Sequence, residues 1–164
     1  MPHSETDPRV IMLCGVSGSG KTHYAHQLEE KGYTRLSPDL IVWSAYGSSL
    51  ASMPFEQQKP LFAGAFLQLE GALDSLLAAG GKAVIDATMC KRAKRDSIRG
   101  LCAARGIEPQ LVYLKAPLAL LKQRLAARTG SGPDDQIVSE SQVEMFYANF
   151  EAPGADEEYI LVKQ

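Results

Sequence analysis

A chain of 164 residues, 45% apolar and 22% charged, is long enough to close one domain around a full core and too short for two. Its formal charge of -2 excludes a global electrostatic pull toward nucleic acid or anionic lipid and leaves only local basic patches for such partners. Three cysteines (Cys14, Cys90, Cys102), odd in number and without metal-ligand spacing, read as reduced thiols of a cytoplasmic protein.

Residues 1–9 are polar, hold two prolines and lack the apolar run of a signal peptide, so a short flexible tail is expected there. No stretch approaches the roughly 18 apolar residues of a membrane span, and no membrane partner is expected. Residues 10–14 form a continuous apolar run ending in glycine, the pattern of a strand buried on both faces. A glycine-rich turn follows, then a helix over about 21–31 stopped by Gly32, and a second strand over 33–36. Ser37 and Pro38 open another helix, serine as N-cap and proline in the first turn.

Residues 55–79 place Phe62, Phe66, Leu69, Leu73, Leu76 and Leu77 on one helical face, and Gly80-Gly81 ends the helix. A third strand over 83–86 precedes a helix over 91–105, and a fourth strand over 110–115 precedes a helix over 117–129 with proline at its start. Residues 130–135 have loop composition, 139–150 read as a helix and 159–162 as a last strand. Buried strands alternating with helices predict an α/β fold, a doubly wound parallel sheet of five strands, with ligands at the carboxyl ends of the strands.

Gly15-Val16-Ser17-Gly18-Ser19-Gly20-Lys21-Thr22 matches the P-loop pattern in full, with a strand before it and a helix after it. The glycines are expected to allow positive φ and close approach of backbone N–H groups to phosphate oxygens. The helix opening at Lys21 adds its positive end to the same anion site. Lys21 supplies a mobile charge for the β- and γ-phosphates, and the Thr22 hydroxyl suits Mg²⁺. The only asparagine is Asn149, outside any N-K-x-D loop, which favours ATP over GTP.

A phosphotransferase also needs a group that orients the acceptor and takes its proton. Asp39, just past the second strand, is the candidate; first-turn helix electrostatics would also explain it. Asp86 ends the apolar run Ala83-Val84-Ile85, placed to hold Mg²⁺ or, with Thr88, to bond the acceptor. Arg124 and Arg128 lie four apart, hence on one helix face, and run into the flexible 129–135 segment. They are expected on a lid over about 128–138 that closes on ATP, with charge-stabilising arginines supplied in cis. Lys91, Arg92, Lys94, Arg95 and Arg99 form a basic stretch that reads either as a solvated face or as a site for a phosphate-bearing acceptor such as a nucleic-acid end. His23 and His26 are expected on the surface.

With these motifs in order, the chain from Val10 onward resembles the P-loop kinases typified by polynucleotide 5′-kinases, whose relatives include chloramphenicol phosphotransferase and zeta-toxin-like enzymes. The resemblance rests on Gly15 to Thr22, Asp39, Asp86-Ala87-Thr88 and the Arg124/Arg128 pair. It implies a sheet like that of nucleoside monophosphate kinases and ATP-Mg²⁺ phosphotransfer to a hydroxyl. In it Asp39 is the general base, and Lys21 and Arg128 stabilise the transition state. Val42 stands where those kinases usually carry an arginine for the acceptor's 3′-phosphate, and Met89 where an asparagine is common; both departures lie on the acceptor side. The acceptor therefore stays open between a polynucleotide 5′-hydroxyl, a small metabolite or antibiotic, and a nucleotide sugar. A non-catalytic ATP-binding regulator is the reading from a different class.

Overall fold

The computed structural model describes residues 7–164. Most of the expected tail thus lies outside the described residues, and its last part is tied down. The Tyr33 hydroxyl donates to the Pro8 carbonyl. The Arg9 guanidinium donates to the carbonyls of Leu77 and Gly81, both at 3.0 Å.

Five parallel strands make the sheet: β1 (Val10–Cys14), β2 (Thr34–Leu36), β3 (Ala83–Asp86), β4 (Gln110–Lys115) and β5 (Ile160–Lys163), in the order β2-β3-β1-β4-β5. β1 is central and buried throughout, as its unbroken apolar run requires. Its register with β3 pairs Val10 with Ala83 and Leu13 with Asp86, so the ends of both strands reach the same edge of the sheet. Alternate β1 residues feed two cores. Met12 and Cys14 pack with Ile85, Leu69, Leu73 and Ile98 on one face; Ile11 and Leu13 pack with Val84, Ala25 and Leu28 on the other.

Six α-helices flank the sheet: α1 (Lys21–Glu29), α2 (Pro38–Tyr46), α3 (Phe55–Ala78), α4 (Arg92–Ala103), α5 (Leu118–Ala126) and α6 (Glu140–Ala148). α2 is capped as expected, the Ser37 Oγ accepting from the Leu40 N–H. α6 starts on a reciprocal box in which Ser139 and Gln142 bond each other's backbone. α3 corrects one expectation. Its length and mean hydropathy of 1.3 over an 18-residue window suit a membrane crossing by composition. Its apolar stripe is taken up by the sheet, Phe66, Leu69, Leu73 and Leu77 being buried. Each such leucine contributes roughly 1.5–3 kcal/mol when fully buried.

α5 corrects another. The helix ends at Ala126, three residues before the expected limit, so Arg128 lies beyond it and does not share a helix face with Arg124. The cause is Asp135. Its Oδ2 accepts from the backbone N–H and hydroxyl of both Thr129 and Ser131, offering the chain better partners than another helical turn. Those bonds hold the Asp135 carboxyl well below the usual carboxylate range.

Candidate active site

The P-loop spans the turn between β1 and α1. Gly18 and Gly20 have φ of 88° and 95°, which L side chains rarely adopt. Gly15 is needed for a different reason from the one expected. Its φ is not positive, but a Cβ there would come 2.7 Å from the Leu114 carbonyl oxygen and 2.5 Å from Ser19 Oγ. The Lys21 ammonium is buried and donates to the carbonyls of Gly15 (2.8 Å) and Val16 (3.2 Å). Burial lowers its pKa, against the pull of Asp86 and Asp39. α1 begins at Gly20 without a side-chain cap, which leaves its first N–H groups for an anion. Ser19 Oγ is the one buried side-chain polar atom without a hydrogen-bond partner among the described residues. An orphaned hydroxyl inside a phosphate-shaped turn fits a polyphosphate.

Asp86, at the end of β3, accepts a hydrogen bond from the Thr22 hydroxyl (3.0 Å). This hydroxyl–carboxylate pair beside the P-loop is the hard oxygen set that Mg²⁺ takes when phosphates complete its shell. Among the described residues no cluster of three or more His, Cys, Asp or Glu forms an all-protein metal cage. Arg35 on β2, which the sequence reading passed over as a strand residue, also meets this carboxylate at 2.8 Å. The same guanidinium pairs with Asp134 on the 128–138 segment. Only the β2–β3 pairing, Arg35 opposite Val84, brings these groups together.

Asp39 lies in the first turn of α2, on the wall of a cleft of about 360 Å³ that Val16, Ser17, Thr88 and Arg128 also line. Its carboxyl meets solvent at the cleft mouth but is otherwise surrounded by protein. Burial and the neighbouring Asp86 charge push its pKa up to about 6, against Lys21 and Arg128. Arg128 donates to the Gln136 carbonyl (3.2 Å) and faces this cleft. Arg124 does not reach it. It donates to the Gly18 carbonyl at 2.9 Å and to Gln164, bracing the outside of the P-loop.

Thr88 is exposed on the cleft wall, and its carbonyl accepts from the Gly15 N–H (3.1 Å). Met89 beside it is buried with φ 49°, the one non-glycine positive φ among the described residues. A conformation that suits asparagine is thus imposed here on a methionine.

Arg92 is not brought to the cleft. Its side chain pairs with Asp156 at 2.6 Å and with Asp96, on the other side of α4. The rest of the basic stretch is mostly paired too. Arg95 is fully buried in a two-pronged pair with Glu157 (2.8 and 2.9 Å), donates to the carbonyls of Met89 and Glu151, and thereby braces the 87–90 turn. Arg99 also meets Glu157, and Lys91 meets Glu151. Within this stretch Lys94 alone has no carboxylate partner among the described residues; it faces the cleft, its Nζ 4.2 Å from the centre of the Phe66 ring. Val42 is buried against Leu50 and Ala65, so the position where an arginine was looked for is a packing contact between α2 and α3.

Four phenylalanines, Phe55, Phe62, Phe66 and Phe146, contribute to that wall. Sequence reading placed Phe62 and Phe66 on a core face and gave no role to the other two; only the approach of α6 to the start of α3 discloses the pocket, with the rings of Phe55 and Phe146 centred 5.6 Å apart.

Residues 10–153 match the family model described as an AAA domain. Similar solved structures include a sugar kinase from Janibacter sp. HTCC2649, 23% identical with a TM-score of 0.69, covering 95% of this chain and 85% of that one. A gluconokinase from Sinorhizobium meliloti 1021 is 24% identical with a TM-score of 0.63, covering 95% and 82%. Kti12 from Chaetomium thermophilum, in complex with ADP-AlF3, is 16% identical with a TM-score of 0.65, covering 94% and 88%. At these identities the likeness is one of fold. Comparison with curated proteins gives no match.

Proposed function

Because the chain belongs to the AAA domain family and carries a kinase-like P-loop domain, we propose that it transfers the γ-phosphoryl group of ATP to the hydroxyl of a small molecule. The observation that carries this reading is that Asp39 lines the same cleft as the P-loop residues Val16 and Ser17. A pure nucleotide binder has no use for a carboxylate there. The acceptor oxygen bonds to the γ-phosphorus as the bond to the bridging oxygen breaks, its electron pair leaving with ADP. The acceptor proton passes to Asp39, whose pKa of about 6 leaves it mostly ionised at neutral pH and still basic enough to accept. Lys21 and the first N–H groups of α1 take up charge on the phosphates, and Arg128 lies on the cleft wall where charge develops on the transferred group. Thr22 and Asp86 would hold Mg²⁺ with the nucleotide, an ion that neutralises phosphate charge when bound.

The small-molecule acceptor is supported by the limited volume of the cleft, about 360 Å³, and by the sugar kinase and gluconokinase neighbours. A nucleic-acid end loses support because Arg92, Arg95 and Arg99, which would have served it, are ion-paired. One observation favours a non-catalytic ATP binder: Arg35 already occupies the metal-side carboxylate Asp86.

Transfer of label from γ-labelled ATP to a panel of hydroxyl acceptors separates the two. Asp39→Asn is expected to lower transfer by at least a hundredfold with ATP affinity near normal, a general base being worth about 10²–10⁴. Lys21→Ala is expected to impair both. Unchanged transfer in Asp39→Asn refutes the base assignment. ATP binding without transfer to any acceptor selects the non-catalytic reading.

A further inference from the structure

We infer that the acceptor is an alcohol with an apolar ring as its body and an anionic group at the end away from the hydroxyl, and not a polyhydroxy sugar acid. This inference rests on the kinase reading for its reaction but on the cleft alone for its chemistry.

The cleft, about 360 Å³, lies near the lower end of the range for small-molecule sites, room for one ring-bearing molecule beside the phosphate end of ATP. Four of the five phenylalanines in the chain line it. They come from two elements distant in sequence, α3 and α6, and converge on one space. Phe55 and Phe62 are half-buried instead of packed away, so their rings keep area for a guest. Ile137, on the segment facing Asp39's side of the opening, is 58% exposed although apolar, and it too lines the cleft. A polyhydroxy acid would have to leave several hydroxyls unbonded against these surfaces, at about 1–3 kcal/mol for each buried unpaired group. An apolar ring is instead stabilised by the same rings through area burial and edge or offset contact.

Lys94 supplies the anion preference. Every other cation of the stretch from Lys91 to Arg99 has a carboxylate partner, whereas Lys94 has none among the described residues and stands over the Phe66 ring at the cleft wall. A cation that faces a small, mostly apolar space without a counter-ion recruits one with the ligand.

The test uses the full chain with γ-labelled ATP and Mg²⁺. 4-(Hydroxymethyl)benzoate and 4-(hydroxymethyl)phenylacetate are compared with their uncharged amides, with gluconate, and with a 5′-hydroxyl oligonucleotide. The ring acids are expected to give a kcat/KM at least tenfold above both their amides and gluconate. Lys94→Met is expected to erase the preference for acid over amide by lowering the acid's kcat/KM at least tenfold; Phe62→Ala is expected to raise KM for acid and amide alike. Calorimetry on Asp39→Asn with ADP present reads acceptor binding without turnover. Ring acids that bind there but receive no label from wild type sink the kinase reading and leave the acceptor class standing. Label on gluconate or the oligonucleotide in preference to the ring acids, or no binding of ring acids at all, overturns the acceptor class.

Discussion

At the scale of single residues the P-loop stores a deficit that ATP can fill. Ser19 Oγ is buried without a partner, which costs about 1–3 kcal/mol in the free protein. Ser19→Ala is therefore expected to raise stability in urea by about 1 kcal/mol without nucleotide, and to weaken ATP binding about fivefold by calorimetry. A variant neutral in both measurements would show the hydroxyl to be idle. Asp39 gives a pH signature. Its folded pKa lies above the ordinary 3.8, so the stability tied to its proton is full below that value and is lost as pH rises through about 6. Base catalysis runs the opposite way, and kcat/KM should climb with pH through about 6 in wild type. Asp39→Asn should flatten that limb and stabilise the free protein at neutral pH by about 1 kcal/mol, a modest figure because the carboxyl meets solvent at the cleft mouth. The P-loop turn and the place of Asp39 in the first turn of α2 were legible because each is fixed by neighbours in sequence. Arg35, Lys94 and Phe146 were not: strand pairing, the lack of a partner and the approach of a distant helix give them their places, and no local spacing records those.

At the scale of elements, the turn after β3 depends on the Arg95–Glu157 pair. Both side chains are almost wholly buried, so removing one partner strands the other. Glu157→Gln is expected to cost about 3–5 kcal/mol by urea unfolding. Arg95 bonds hold the Glu157 carboxyl down to about 2 from its ordinary 4.5. The stability it contributes is complete above 4.5 and is lost as pH falls through about 2. An acid titration of unfolding free energy that stays flat over that window would contradict the assignment. The basic stretch shows how far a charge pattern can mislead. Its spacing on α4 was plain in the sequence, while its acidic partners, Glu151, Asp156 and Glu157, lie some 60 residues on and meet it only through the fold. The length of α5 was misjudged for a like reason, since Asp135, beyond the helix, draws the chain away at Thr129.

At the scale of the whole molecule the parallel five-stranded sheet was readable almost strand for strand, because β1 and β3 are buried throughout and β4 is largely so, each with a continuous apolar run that few other folds accommodate. The acceptor cleft was not, being assembled from α2, α3, α6 and the 128–138 segment. Arg35 ties that segment to the phosphate side through Asp86 and Asp134. On the proposed kinase reading, a divalent cation held by Thr22 and Asp86 would compete with Arg35 for Asp86 and leave Asp134 as the guanidinium's remaining partner, so the fastening of the cleft mouth would change before an acceptor enters. The expected consequence is one of kinetic order: nucleotide would add first and acceptor second. A dead-end acceptor analogue should then inhibit uncompetitively against ATP, and Arg35→Gln should convert that pattern to the noncompetitive one of random addition. Noncompetitive inhibition in the wild type would show that the two substrates enter independently.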